Sequence, residues 1–132
     1  MDTLLAVMAL LDGQGEPMAG IEMSLDEAKA RGGFAEPLSF AQCVVRDWIW
    51  IDLVLDEQGL AAVQAAGQQP VMLYGTVMLD SAGRLDPGDW VRTTMLVTFS
   101  EGCLFCTRNS RYVLVGDGQR KSATFETVMA LH

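Results

Sequence analysis

A nearly strict alternation of apolar and polar residues between Val91 and Phe99 is the feature that most constrains how this chain can fold. A repeat of two residues is typical of a β-strand that buries one face. One face would carry Val91, Thr93, Met95, Val97 and Phe99, and the other would carry Arg92, Thr94, Leu96 and Thr98. The chain is therefore expected to fold around a β-sheet.

Two further strand-like runs follow directly, Cys103–Thr107 and Arg111–Val115. Short polar segments separate the three runs, and Gly102 in the first of these segments can adopt the positive φ that a tight turn needs. Consecutive strands joined by such turns pair antiparallel. The segment from Trp90 to Val115 is thus predicted to form a three-stranded antiparallel meander.

The rest of the chain mixes helix and strand signals. Ser24 and Glu27 have the spacing of a capping box, and Asp56 is a candidate N-cap. The predicted helices are 25–31, 57–66 and 122–131, and the predicted strands outside the meander are 47–55 and 71–79. The apolar run at the N-terminus fits either a helix or a strand, and residues 38–45 fit either a helix or irregular chain.

These elements predict an α+β protein, with a curved antiparallel sheet and two to four short helices on one side. A chain of 132 residues is expected to form a single domain that buries enough surface for a core without staples. Within this domain, residues 1–40 would be a variable N-terminal part and residues 45–130 the sheet core. The N-terminal apolar run lacks a basic flank and is too short to span a bilayer, so a cytoplasmic location is expected.

The formal charge of −8 is unevenly distributed along the chain. Residues 1–60 hold eleven acidic residues against three basic ones, whereas residues 92–132 hold three against five. An acidic surface repels nucleic acid and anionic membranes and can attract a basic partner surface. Ordinary solubilising charge is the simpler interpretation.

The sequence argues against the common metal and hydrolytic sites. Cys103 and Cys106 are three residues apart in a predicted strand, so their side chains would point to opposite faces and could not share one metal ion. They are expected to be free thiols, as is Cys43. The single histidine, His132, is the last residue, which makes it a poor general base. No metal and no cofactor is expected.

The predicted strand at 47–55 is apolar on both faces. Trp48 and Trp50 share one face, and Ile49, Ile51 and Leu53 share the other. Such a strand is expected to lie at the centre of the sheet, with its indoles in the core. Two alternatives remain, that the indoles contact a partner or that the strand forms a homodimer interface.

A minority of basic residues suggests an anion-binding alternative. Arginine beside aromatic residues can stack and can form forked hydrogen bonds to phosphates or carboxylates. The candidates are Arg92, Arg108, Arg111, Tyr112, Arg120 and Lys121. The segment GDGQRK, residues 116–121, could hold an anion before a helix, although a turn is the simpler interpretation because it lacks the phosphate-loop ending.

Four segments resemble a known family. They are DWIW at Asp47, QPVMLYG at Gln69–Gly75, PGDWVRT at Pro87–Thr93 and EGCLFCTRNSRYVLVGDGQRK at Glu101–Lys121. Over roughly residues 45–130 the chain is similar to a family of small uncharacterised proteobacterial proteins, a domain of unknown function. Cys106 stands where the family pattern has an acidic residue. The resemblance implies a bacterial cytosolic module and brings no activity.

The leading hypothesis is a small acidic, non-enzymatic binding protein that docks on and inhibits a protein or nucleoprotein complex with a basic surface. An anti-CRISPR from a phage or mobile element, or a toxin immunity protein, would fit this description. The candidate partner-binding residues are Asp47, Asp52, Glu57, Trp48 and Trp50. A nucleic-acid or nucleotide-binding module that uses the arginine-bearing meander is the first alternative, and an enzyme acting through Asp, Glu and Arg is the second.

Overall fold

The computed structural model describes residues 3–33 and 41–131, in which four helices pack on a curled, eight-stranded mixed sheet. The helices are α1 (Thr3–Asp12), α2 (Leu25–Gly32), α3 (Glu57–Ala65) and α4 (Phe125–Met129). The strands are β1 (Glu16–Ile21), β2 (Ala41–Val54), β3 (Val71–Asp80), β4 (Trp90–Arg92), β5 (Thr98–Ser100), β6 (Leu104–Cys106), β7 (Ser110–Leu114) and β8 (Gly116–Thr124). The predicted α+β class is confirmed.

The long strand β2 lies at the centre of the sheet. It pairs antiparallel with β3 along one edge, and parallel with β7 and then β8 along the other. The sheet is therefore mixed and not purely antiparallel as predicted. Each of the segments β2, β3, β4–β5, β6 and β7 reverses the direction of the one before it. Because the fifth segment regains the direction of the first, their contact has to be parallel.

Residues 93–97 close the curled sheet on itself. The Thr93 N–H donates to Leu73 O at 2.9 Å, whereas the Val97 N–H donates to Cys106 O at 2.8 Å. The chain thus changes partner from β3 to β6 within this segment, so the predicted strand at 91–99 is split into β4 and β5. The predicted alternation fails there, because Thr93 and Leu96 are both buried.

The meander itself is confirmed, as β5 pairs with β6 and β6 with β7, both antiparallel. Gly102 in the first turn has the expected positive φ of 74°. Both predicted strands outside the meander are also present, as parts of β2 and β3. Residues 41–45 belong to β2, while the rest of the ambiguous segment at 38–45 lies outside the described residues.

Three apolar clusters hold the fold together. The interior of the curled sheet contains Trp48 and Trp50, which are 2% and 7% exposed. Ile49 and Ile51 face the opposite way, toward α1 and α4, and Val44 packs in a third cluster with Ala28 of α2. The prediction of a central strand with core tryptophans is confirmed. The chain itself covers both apolar faces of β2, and a homodimer interface through this strand stays a prediction.

The segment GDGQRK is the start of β8, and the predicted turn is wrong. Gly116, with φ 72°, only kinks the chain between β7 and β8, which both run alongside β2. Gly118 lies against the indole of Trp48, where a Cβ atom would come within 2.3 Å of the ring. The glycines therefore permit close packing. Because the segment lies in a strand that runs alongside β2, it is not an anion-binding loop before a helix.

The helix starts predicted at Leu25 and Glu57 are confirmed, whereas the helix predicted from Ser122 begins only at Phe125, because residues 122–124 still belong to β8. Ser24 and Glu27 form both halves of the capping box of α2, and the Asp56 side chain accepts from the Gly59 N–H of α3 at 2.7 Å. The N-terminal run is the helix α1, of which Leu10 is the buried residue. Within the described ranges no helix combines the length and the apolar character needed to cross a bilayer.

Basic side chains cap the C-terminal end of every helix in the described residues. Lys121 donates to Leu10 O of α1 at 2.6 Å, and Arg111 donates to Gly32 O of α2 at 3.0 Å. Arg108 donates to Ala66 O after α3, and Arg92 donates to three carbonyls at the end of α4. These four donors come from the sheet or from the β6–β7 turn. They satisfy last-turn carbonyls that have no partner inside the helix.

We expect Arg92→Met to lower the free energy of unfolding by about 1–2 kcal/mol, because it removes hydrogen bonds to the α4 carbonyls and a positive charge from the negative end of the helix. Arg46→Met is the matched control. Its guanidinium pairs with Asp47 at the exposed surface, so a change within about 0.5 kcal/mol is expected. Urea unfolding followed by tryptophan fluorescence measures both, and equal losses would contradict a specific role for the cap.

Candidate functional site

An open cleft of 640 Å³ lies where β2 changes its parallel partner. β2 advances by four residues from Val45 to Ile49, whereas its partners β7 and β8 advance by five residues from Leu114 to Gln119. The parallel pairing is therefore irregular between these two positions. Bulges redirect side chains and are frequent beside functional sites. β2 also carries an extra residue opposite β3 between Arg46 and Ile49, and within this bulge Asp47 is exposed and has a positive φ of 50°. The C-terminal end of α1, Tyr74 of β3 and Trp90 of β4 complete the walls of the cleft.

Two stacked aromatic rings form one wall of the cleft. The rings of Tyr74 and Trp90 lie 5.1 Å apart and are inclined by only 11°. Tyr74 is buried, and burial raises the pKa of its hydroxyl. Trp90 is 50% exposed even though it is a large aromatic residue. An exposed tryptophan whose ring is held in place by a second ring is a preformed binding surface.

Three carboxylates lie around the same cleft, those of Asp12, Asp47 and Asp117. All three residues are exposed. Asp47 pairs with Arg46, and the Asp117 carboxylate accepts from the Gly20 N–H at 2.9 Å. Lys121 is the one basic residue of the lining, and its ammonium is turned toward the Leu10 carbonyl of α1. The lining is therefore predominantly anionic and partly aromatic, a combination that suits a cation.

A second cavity of 520 Å³ lies between α1, β8 and α4, and is lined in part by Glu16, Asp52, Arg120 and Lys121. Arg120 binds both carboxylate oxygens of Asp52, at 2.6 and 3.1 Å, and lies 5.9 Å from the Trp50 ring centroid. Burial lowers the pKa of Lys121. A cavity with carboxylates and an arginine is what the enzyme alternative requires. Its carboxylate and arginine are, however, already bound to each other.

The predicted partner-binding residues are not brought together in one site. Asp47 and Trp48 line the cleft, but the Trp48 indole is buried and donates to Gly116 O at 3.1 Å. Trp50 packs edge-on against rings inside the curled sheet. Asp52 lies in the second cavity, and Glu57 is exposed in the first turn of α3. Among these five, only Asp47 presents its side chain to the cleft from the surface.

Sequence reasoning missed Trp90, Tyr74 and Asp117. Trp90 starts the predicted meander and Asp117 lies in a predicted turn, so the local sequence patterns of these residues do not link them. A Trp between Asp89 and Val91, at the end of a loop of turn residues, was the only signal of an exposed aromatic residue. The juxtaposition with Asp47 is made by the pairing of β2 with β8 and of β3 with β4.

The predicted anion-binding residues do not form one cluster either. Arg92, Arg108, Arg111 and Lys121 each serve a different helix, and Arg120 pairs with Asp52. Tyr112 is buried, and burial raises the pKa of its hydroxyl. Arg120 and Lys121 share the second cavity. Each of these guanidinium groups is thus oriented by a contact within the chain, and the structure does not gather them into one phosphate site.

The cysteines are free thiols in three different environments. Cys43 and Cys103 are buried, and Cys106 is partly exposed. Burial, with a further contribution from the charge of Asp80, raises the pKa of Cys43 to about 12. Within residues 3–33 and 41–131 there is no cluster of three Cys, His, Asp or Glu side chains that could hold a metal ion.

We expect Cys106 to be alkylated by iodoacetamide at pH 8 well before Cys43. A thiol with a pKa of about 12 has only about one thiolate in ten thousand at that pH, and its burial excludes the reagent. Peptide mass mapping after timed quenching measures the rates, and a sample in urea supplies the fully reactive reference. Equal rates for the two cysteines in the folded protein would contradict the buried position of Cys43.

Comparison with known proteins identifies a family without an activity. No curated protein and no solved structure matches the chain. A family model described as a domain of unknown function (DUF6957) matches residues 19–130. The match begins well before residue 45, at which the sequence resemblance begins. It includes α2 and most of the sheet and leaves α1 outside. Since it spans most of the sequence, the chain belongs to the family described as Domain of unknown function (DUF6957).

Proposed function

We propose that this protein is a small, non-enzymatic binding protein of the proteobacterial cytoplasm, which docks on and inhibits a macromolecular partner through a basic surface of that partner. Anti-defence proteins of phages and mobile elements, such as anti-CRISPRs, and toxin immunity proteins are the classes that fit. A negative protein surface can occupy a positively charged channel or groove in place of its substrate.

The observation that carries this proposal is the unequal use of the two kinds of charge. Seven of the nine basic residues make contacts within the chain, with helix carbonyls or with one carboxylate each: Arg46, Arg84, Arg92, Arg108, Arg111, Arg120 and Lys121. Among the acidic residues of the described ranges, ion pairs involve Asp47, Asp52 and Asp80. The acidic side chains therefore dominate what a partner would meet.

The acidic cleft is the part of this surface best suited to docking. Asp47 and Asp117 provide charge, and Trp90 provides an exposed aromatic contact. Exposed tryptophans with a charged neighbour are the residues that most often dominate binding energy at interfaces. Trp48 and Trp50 are buried, so Trp90 takes over the aromatic role that the sequence suggested for them. Glu57 and Asp52 lie outside the cleft, so their contribution would be a long-range electrostatic attraction.

The two alternatives are less well supported. Nucleic-acid binding needs basic donors that reach phosphates, and the candidate arginines contact three helix ends and one carboxylate, while Lys121 contacts the fourth helix end. An enzyme acting through Asp52 would first have to break its two hydrogen bonds to Arg120. Neither objection applies to a protein that only binds.

We expect the double variant Asp47→Asn with Asp117→Asn to bind its partner roughly tenfold more weakly at low salt, because two interfacial charges are lost while the side-chain shapes and the Asp117 acceptor are kept. The partner is first captured from the bacterial host on tagged protein and identified by mass spectrometry. Affinity is then measured by surface plasmon resonance at about 50 mM and about 300 mM salt, where screening differs strongly.

The control variant, Glu57→Gln with Glu126→Gln, removes the same number of charges from the first turns of α3 and α4, outside the cleft. It should lose little affinity and keep most of the salt dependence. If wild-type affinity is the same at both salt concentrations, docking through the acidic surface is wrong. If the control loses as much affinity as the double variant, the acidic surface acts as a whole and not through the cleft.

A further inference from the structure

We infer that the acidic cleft between Trp90 and Asp47 is a subsite for one planar guanidinium group, the side chain of an arginine. This inference rests on the proposed function in one respect, which is that the arginine would belong to a protein partner with a basic surface. The subsite itself is argued from the side chains that line the cleft, and its ligand can be tested without any partner.

The aromatic wall selects a flat cation. One face of the Trp90 ring is covered by Tyr74 at 5.1 Å and near-parallel, and half of the residue remains exposed. A cation is attracted to the face of an aromatic ring, most strongly that of tryptophan. A guanidinium is planar and weakly hydrated, so it can lie flat on the open face as a third layer of the stack.

The carboxylates of the cleft can accept hydrogen bonds from the N–H groups along the edge of a guanidinium. Asp47 already binds one guanidinium through its Oδ2 atom, that of Arg46. Within the described residues, no hydrogen bond reaches its other oxygen, Oδ1. Both members of this pair are more than half exposed, so an incoming arginine could share the carboxylate or replace Arg46 at little cost. Forked hydrogen bonds to a carboxylate are a property of guanidinium that ammonium lacks.

Other ligand classes fit the cleft less well. A metal ion would need a cluster of ligands that the described residues do not provide. An anion would meet three carboxylates and a lysine whose ammonium is directed at α1. A neutral aromatic ligand could stack on Trp90 but would leave the carboxylates without a partner. Of these ligand classes, an organic cation is the one that would use both the aromatic wall and the carboxylates.

The test is a titration of the full chain with three small blocked amino acids. N-acetyl-arginine amide is the probe, N-acetyl-citrulline amide is its neutral isostere, and N-acetyl-lysine amide carries the same charge without the plane. Binding is followed by the indole N–H signals in ¹H–¹⁵N NMR spectra, one for each of the three tryptophans. The Trp90 signal is assigned as the one that is missing in Trp90→Phe.

We expect arginine amide to shift the Trp90 signal with a Kd in the millimolar range, since a single exposed cation–π contact with one ion pair is worth only a few kcal/mol. The lysine probe should bind several-fold more weakly, and the citrulline probe should give no saturable shift. The signals of Trp48 and Trp50 should move little, because both indoles are buried and already donate to Gly116 and Asp52.

Variants separate the two walls of the subsite. Trp90→Leu keeps an apolar side chain without a π face and should weaken arginine binding about fivefold or more, whereas Trp90→Phe should weaken it less. Asp47→Asn should also weaken it about fivefold, and Asn accepts the positive φ at this position. Glu126→Gln, in the first turn of α4 and outside the cleft, should leave binding unchanged. Near-UV circular dichroism verifies that each variant is folded.

Each outcome decides the inference. Equal shifts with arginine and citrulline, no shift at Trp90, or full binding by Trp90→Leu would overturn it. If arginine binds as expected but the acidic surface fails in partner binding, the subsite stands and the docking role falls. If docking depends on Asp47 and Asp117 but the arginine probe does not bind, the docking role stands and the guanidinium subsite is wrong.

Discussion

The hydrogen bonds from basic side chains of the sheet region to helix C-terminal carbonyls are the interaction on which the rest of the structure depends. Lys121, Arg111, Arg108 and Arg92 each join one helix to the sheet region. Although α1, α2 and α4 also contribute to the apolar clusters, α3 buries none of its residues, so apolar packing does not orient that helix. A positive side chain at the negative end of a helix supplies both the missing hydrogen-bond donor and a favourable charge interaction.

This use of the basic residues also determines the character of the surface. A cation that is oriented toward a helix carbonyl or a carboxylate would have to share or leave that contact in order to bind an external phosphate. Fewer of the acidic side chains form ion pairs within the described residues, and three acidic residues lie around one cleft. The same contacts that stabilise the helices thus leave the protein with an anionic face, and this face is the basis for proposing a basic partner.

The cleft is a consequence of how the sheet closes. Four antiparallel pairings around a ring end in a parallel contact between β2 and β7, and β8 then continues along β2 with one extra residue between the paired positions. In the same region β2 bulges opposite β3, where Asp47 has a positive φ, and Gly118 makes room for the Trp48 indole. Tyr74 and Trp90 reach the same place from the other edge of β2, through β3 and β4. The strand pairing therefore assembles the site from residues far apart in the chain.

The sequence by itself determined the α+β class, the helix starts at Ser24 and Asp56, the meander, and the central position of the strand with Trp48 and Trp50, because these depend on local capping and on the period of apolar residues. It also suggested Asp47 as a binding residue. Only the tertiary structure decided that Gly116 and Gly118 lie in a strand, that residues 93–97 change partner, and that Trp90 joins Asp47 and Asp117 in one cleft. These features depend on which strands meet around a closed sheet, and a glycine kept for close packing has the same local pattern as a glycine kept for a turn.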